Sequence, residues 1–409
     1  MTQSEAVKAT HTSAFELFKI FLRLGLTSFG GPVAHLGYFR HEFVEKRKWL
    51  DDRAYADLVG LCQLLPGPAS SQVGIAVGLI RGGKRGALAS WLGFTLPSAI
   101  ALVLFAVFFL GDQDSGQWLH GLKVVAVAVV AQAIWAMGKS LCPDRKRASM
   151  AVAATLALAM MSSAWGQILV ILAGAIVGWV WLDSPSPNPS QHRSSAIPQG
   201  NPLQVNISQK SAMGYLGAFF ILLFLLPLLA HHGAYWLQLF DSFYRSGALV
   251  FGGGHVVLPL LQAEVVPNGW VSNDDFIAGY GAAQAVPGPL FTFAAYLGAI
   301  SSQTANAWMG ASVALVGIFT PAFLLVFGTL PLWQQARTNP TMQKAMAGIN
   351  ASVVGILLSA FYNPIWTSAI LTPKDFSLAI AAFLLLVFWK APPWLVVVFC
   401  ALVAALGWH

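Results

Sequence analysis

Apolar runs of about twenty residues, the length that crosses a bilayer as a helix, recur from one end of this chain to the other. They lie near 15–39, 54–80, 87–110, 120–138, 148–164 and 166–182, then 212–231, 238–262, 276–300, 307–332, 345–362, 376–390 and 392–407. Runs this long and this apolar exclude barrel strands, and a lipid-exposed backbone must satisfy its own hydrogen bonds, so the segments are helices. Composition agrees. Charged residues make up 10% of the 409, hydrophobic residues 56%, and the mean hydropathy is +0.66. A soluble surface needs about a quarter of residues charged. The reading is an all-α polytopic membrane protein with 10–13 hydrophobic segments. A soluble enzyme, a nucleic-acid-binding domain and a disulfide scaffold are excluded, the three cysteines Cys62, Cys142 and Cys400 being too scattered to staple a fold.

Residues 1–14 read as a polar tail with no cleaved signal. Residues 183–211 carry Pro185, Pro187, Pro189, Pro198 and Pro202 among Ser, Asn and Gln, and read as a flexible linker. The flanking domains, 15–182 and 212–409, repeat one another. FLRLGLTSFGG at 21–31 aligns with FYRSGALVFGG at 243–253, matching Arg23 with Arg245, and Gly30 and Gly31 with Gly252 and Gly253. Farther on, Trp49, Gly60, Gln63 and Pro66-Gly67-Pro68 match Trp270, Gly281, Gln284 and Pro287-Gly288-Pro289, and Pro97 and Pro321 continue the series after a short slip. Matches at Arg, Gln, Gly, Pro and Trp are not the accidental kind that two apolar chains share.

Charge suggests that the halves insert in opposite senses. Lys46, Arg47, Lys48, Arg53, Arg81, Lys84 and Arg85, with Lys139, Arg145, Lys146 and Arg147, mark first-half loops as cytoplasmic. The matching second-half connection, 263–275, holds Glu264, Asp274 and Asp275 and no Lys or Arg. Inverted repeats are a common transporter plan. One conflict arises: 40–53 and 80–86 are both basic, yet a full span between them would put them on opposite sides. A broken or re-entrant segment at 54–80 removes it.

The glycine and proline blocks fall inside apolar runs, where a broken helix is tolerated if it is buried or lines a water-filled cavity. Free amides at a restarted helix attract an anion. Arg23 and Arg245 lie before those breaks, and a guanidinium suits a tetrahedral oxyanion better than a metal cation or a neutral solute. The candidate substrate-binding set is Arg23, Gly30, Gly31, Gln63, Pro66, Gly67, Pro68, Arg245, Gly252, Gly253, Gln284, Pro287, Gly288 and Pro289. The plainer readings are snorkelling for Arg23 and a helical Arg245–Asp241 pair. His35 and His255 flank the glycine blocks and suit packing or capping at least as well as titration. RGGKRG at 81–86 lacks the spacing of a phosphate loop, and enzyme, metal and cofactor signatures are absent from the sequence. Pumping must draw on ion gradients or membrane potential.

LGLTSFGGPVAHLGYFRHEFVEKRKWL and LCQLLPGPASSQVGIAVG, followed by LVFGGGHVVLPLL and AAQAVPGPLFTFAAYLG, resemble the chromate ion transporter family across nearly the whole chain. The resemblance implies a long, two-domain member in the plasma membrane of a bacterium or archaeon, the inner membrane if Gram-negative. It implies export of chromate giving chromate resistance, with sulfate handled by related members. The partners it implies are these anions and bilayer lipid; monomer and homodimer both stay open.

Overall fold

The computed structural model describes residues 12–29, 31–109, 116–161, 164–183, 205, 207–231, 233–251, 254–301, 303, 306–333 and 340–407. The polar tail and most of the 183–211 linker lie outside the described residues. Among those described there is helix and no strand.

The run at 15–39 is two helices. The Ser13 hydroxyl accepts from the Glu16 amide and starts α1 (Ala14–Thr27), which stops at Ser28. α2 (Gly31–Arg40) begins at Gly31, whose φ of 76° suits glycine alone, and runs on into a π turn over His41–Lys46. Arg47 then lies 3.8 Å from Glu16 in the first turn of α1, so the pair goes in and comes back. The run at 54–80 does the same. α3 (Asp52–Leu64) is capped by Asp51, Pro66-Gly67-Pro68 forms the tip with Gly67 at φ 120°, and α4 (Ala69–Phe109) returns as far as a kink at Gly82–Gly83. At about 20 Å, α3 is too short to cross a hydrocarbon layer about 30 Å thick.

Both hairpins are based at one face. The Arg47 and Arg81 guanidinium groups lie 5.1 and 4.8 Å from the ring centre of Trp49, and the Thr12 amide donates to Arg81 O at 3.0 Å. The basic loops 40–53 and 80–86 therefore share a side, and the conflict in the charge pattern disappears.

Beyond its kink α4 crosses to the other face. α5 (Gly116–Leu141) crosses back, and α6 (Arg145–Met160) with α7 (Ala164–Trp181) makes a hairpin closed by Lys146 on Trp181 O and Asp183. α8 (Gln209–Ala230) starts near Lys84, whose ammonium is 5.3 Å from the Tyr215 ring centre, and crosses once more. The pattern then repeats as α9 (Tyr235–Ala248), α10 (Val257–Val265), α11 (Asn273–Ala283), α12 (Phe293–Ile300), α13 (Ala307–Thr329), α14 (Pro340–Ala360), α15 (Pro373–Val387) and α16 (Pro393–Ala405). Here Tyr235 packs on Trp270 and hydrogen-bonds Ser301, which bases both hairpins of the second repeat together.

The two bases are at opposite faces. Phe105 stands about 33 Å along α4 from Gly83, yet its ring is 5.8 Å from that of Tyr296, close to Ser301 at the second base. Lys123, near the start of α5, agrees by pairing with Asp274 at 2.8 Å. α8 is the odd crossing that turns the second repeat over. Among the described residues five helices are long and apolar enough to span: Ala69–Phe108, Trp118–Leu141, Gln209–Ala230, Ala307–Leu332 and Pro340–Ala369. The other apolar runs are shorter helices, several paired around breaks.

Equivalent glycines let equivalent helices touch. A Cβ on Gly25 would lie 2.7 Å from Phe94 O, and one on Gly247 would lie 2.2 Å from Ile318 O. Gly93 and Gly317 meet Phe18 O and Phe240 O in the same way, which carries the repeat through Pro97 and Pro321. Such close approach is how helices pack where water supplies no driving force. The repeats also exchange partners. α14 seats on α7 and α6 through Gly348 and Gly355, while α5 seats on α16 and α15 through Gly121 and a 2.8 Å His120–Asp375 contact.

Cysteines placed singly at 45–48 and at 268–273 should label from opposite sides of the membrane. Labelling of both from one side would sink the inverted arrangement.

Candidate functional site

The broken helices meet at the interface of the repeats, and they meet reciprocally. The Gly67 amide donates to Val250 O at 2.7 Å, and the Gly288 amide donates to Ser28 O at 2.9 Å. Each Pro-Gly-Pro tip thus docks on the break after the first helix of the other repeat. Reciprocity of this kind is what a two-fold relation requires. Gly288, like Gly67, sits at positive φ (104°), and its proline neighbours leave it the one tip amide able to donate. Gly30, Gly252 and Gly253 lie outside the described residues.

On the first-repeat side a cavity of about 890 Å³ reaches this junction. Gln63, Gly67 and Ala69 form its inner end, where α4 begins. The amides of Ala69, Ser70 and Ser71 precede the first bond inside the helix, Gln72 N–H to Pro68 O at 2.8 Å, so α4 presents a positive dipole end. Arg147, Trp333, Gln343 and Asn350 line it farther out, with Ser140 at the end of α5. The mouth lies between the ends of α5, α6 and α14, on the face of the basic loops.

Polar atoms here lack protein partners. Arg147 Nε, Trp333 Nε1 and Asn350 Oδ1 are buried with no hydrogen bond among the described residues. Arg147 Nε is 3.2 Å from Asp144 Oδ2 but not aligned to donate to it. Ser28 Oγ, Ser71 Oγ, Gln72 Oε1 and Gln284 Nε2 are similarly unsatisfied beside the breaks. Buried polar atoms normally find partners, and those along the cavity wall mark a place for water or a polar solute. One guanidinium, an indole N–H, side-chain amides and helix-start amides form a donor set suited to an oxyanion.

At the equivalent place in the second repeat the contact is closed. A Cβ on Gly60 would meet nothing within 4 Å among the described residues; one on Gly281 would lie 2.1 Å from Leu122 O. Met346 of α14 lines the open cavity with Gly60. Gln63 is correspondingly exposed to the cavity, whereas Gln284 keeps a buried Nε2. The Lys123–Asp274 pair closes the second face over this contact.

The chain matches the chromate transporter family over residues 15–179 and 237–406, nearly all of the first repeat and the second from the start of α9 onward. It belongs to that family. It is 26% identical over 353 residues to a chromate transport protein of Pseudomonas aeruginosa, covering 84% of this chain and 79% of the relative. With a chromate transport protein of Cupriavidus metallidurans it shares 25% identity over 397 residues, covering 96% and 93%. An uncharacterised transporter of Methanocaldococcus jannaschii is 24% identical over 359 residues, covering 86% and 84%. No solved structure matches this family member.

The site suggested by the sequence is partly assembled. Each Pro-Gly-Pro tip docks on the break of the other repeat, and Gln63 reaches the cavity. The arginines do not. Arg23 is exposed on α1, on the stripe shared with Glu16 and Lys19. Arg245 donates from Nη1 and Nη2 to Glu264 at 2.6 and 2.8 Å and from Nε to Asp241 at 3.0 Å, which occupies the fork that an anion would need. The plainer reading, an Arg245–Asp241 pair, is the one observed, enlarged by Glu264. His35 is buried and structural: Nε2 is 3.2 Å from Ser28 O and Nδ1 is 3.4 Å from Ser70 Oγ. That geometry suits a neutral ring donating at Nε2 and accepting at Nδ1. His255 meets the Tyr280 hydroxyl at 2.7 Å.

Arg147, Trp333, Gln343 and Asn350 are absent from the sequence-based set. Arg147 reads there as one more charge in a cytoplasmic loop, and the other three come from the opposite repeat. A polar Asn350 inside the apolar run 345–362 was the available signal.

Proposed function

We propose that this protein exports chromate across the plasma membrane by alternating access, with the cavity at Gln63, Arg147 and Asn350 as the cytoplasmic approach to the Pro-Gly-Pro junction. The observation that carries the reading is the inequality of Gly60 and Gly281: the same contact is open at one face and closed at the other. Exchange of these two contacts between the repeats converts an inward-open state into an outward-open one, as inverted repeats permit. The positive-inside rule applied to the basic loops supports a cytoplasmic position for the open face. An inside-negative potential favours outward movement of a dianion by about 4.6 kcal/mol per 100 mV, twice the single-charge value. Export therefore runs downhill electrically and protects the cell from chromate.

Sulfate is also a tetrahedral dianion, and the donors that suit chromate suit it. Radiolabelled flux into everted and right-side-out vesicles separates the readings. Protein-dependent chromate accumulation in everted vesicles is expected, with sulfate as a competitor. Inward sulfate flux insensitive to chromate would replace export with sulfate uptake, and no flux of either anion would end the transport reading.

A further inference from the structure

We infer that Asp241, Arg245 and Glu264 form a proton-binding site, open to the second face, that clamps the α9–α10 break; the coupling role given to it rests on the transport reading. The Arg245 guanidinium reaches across the break. It stands on α9 with Asp241, and both its Nη atoms hold Glu264 on α10. One permanently charged guanidinium faces two carboxylates, so the group carries a surplus negative charge. Asp241 is 4% and Glu264 8% exposed. A surplus charge held that far from water is costly, and a proton removes it.

The proton's place is Asp241 Oδ1. Arg245 donates to both Glu264 oxygens and to Asp241 Oδ2, whereas Oδ1 is buried with no partner among the described residues. Asp241 lines a separate cavity of about 430 Å³, walled also by His231, Gln238, Asn268, Trp270 and Gln303. Trp270 belongs to the base of the second-repeat hairpins, so this cavity opens away from the cytoplasm. The charged or titratable groups around Asp241 are Arg245 on its own helix, Glu264 on α10 and His231 after α8. α13, packed along α9, has none over Ala307–Thr329. The first repeat has no equivalent, because Lys19 stands where Asp241 does.

Protonation converts the Asp241 carboxylate to an acid and weakens its hold on Arg245 Nε. Arg245 is then left to Glu264 alone, so the clamp across the break tightens, and the break is where Val250 O holds the Gly67 amide of the first repeat. A proton taken up at the second face is thereby felt at the junction that the anion must pass. With its release to the cytoplasm as Asp241 regains its share of Arg245, protons move inward as the dianion moves outward.

Two measurements on the purified full-length protein test this. In the infrared difference spectrum on acidification, a protonated-carboxyl band should appear that is lost in Asp241→Asn and shifted in Asp241→Glu; a band unchanged in both variants overturns the site, whatever the protein transports. In liposomes with a trapped pH dye, chromate efflux should be accompanied by proton influx. Asp241→Asn should lose that influx while keeping chromate–chromate exchange within about twofold, and Lys19→Ala should keep both. Wild-type proton influx retained by Asp241→Asn, or chromate flux in the wild type with no proton movement, overturns the coupling. A wild type that moves no chromate fails the transport reading instead, and the infrared result still decides the site.

Discussion

Arg147→Ala should weaken chromate binding by roughly 10- to 150-fold, the equivalent of about 1.5–3 kcal/mol for a hydrogen bond to a charged group. The cavity at the α3–α4 tip draws its fixed positive charge from this side chain, whose Nε has no hydrogen-bond partner among the described residues. Arg147→Lys keeps the charge but loses the planar fork, so it should fall between the two. Folding should survive, because Asp144, left without its ion pair, is about half exposed and remains solvated. Arg23→Ala should stay within about twofold of wild type, since that guanidinium lies on the outer face of α1. Direct binding of chromate to purified protein measures all three. Equal losses at Arg23 and Arg147 would mean that charge in general, rather than this cavity, governs affinity.

Leucine at Gly60 and leucine at Gly281 should both abolish transport, for opposite reasons. At Gly281 the new side chain runs into the α5 backbone, whose Leu122 O would be 2.1 Å from the Cβ. The closed contact cannot form, so the folded protein should lose stability or relax toward the state open at the second face. At Gly60 the side chain has room in the structure observed. Its thermal unfolding should match wild type, but α3 can no longer close on Met346 and the cycle stops. Flux and melting temperature together separate the two effects. Full transport in Gly60→Leu would show that this contact never closes.

The repeat, the breaks and the inverted sense are written in residues whose chemistry is local. Glycine and proline break a helix wherever they stand, and lysine and arginine choose a side. The half-length hairpins were harder to see. Ala14–Thr27 and Gly31–Arg40 read as one apolar run at 15–39, because hydropathy does not register a reversal of direction. The basic loops 40–53 and 80–86 gave the one warning, and the Arg47–Trp49–Arg81 stack is its physical answer. Spacing also revealed Arg245–Asp241 but not Glu264, which joins only after the break folds back. Asn350 and Trp333 reach the cavity because α14 and the end of α13 lie against first-repeat helices, a long-range contact with no periodicity to betray it.

The central claim is that the open and closed contacts exchange between repeats, and paired cross-links test it most directly. One pair, Lys123→Cys with Asp274→Cys, replaces the ion pair that closes the second face. The other, Gly60→Cys with Met346→Cys, spans the open cavity. With a short bifunctional thiol reagent, the first pair should link in the resting protein and leave chromate binding from the cytoplasmic side intact while stopping flux. The second should link only during turnover, and then block that binding. A molecule carrying both links at once, or full transport with either link in place, would contradict the exchange.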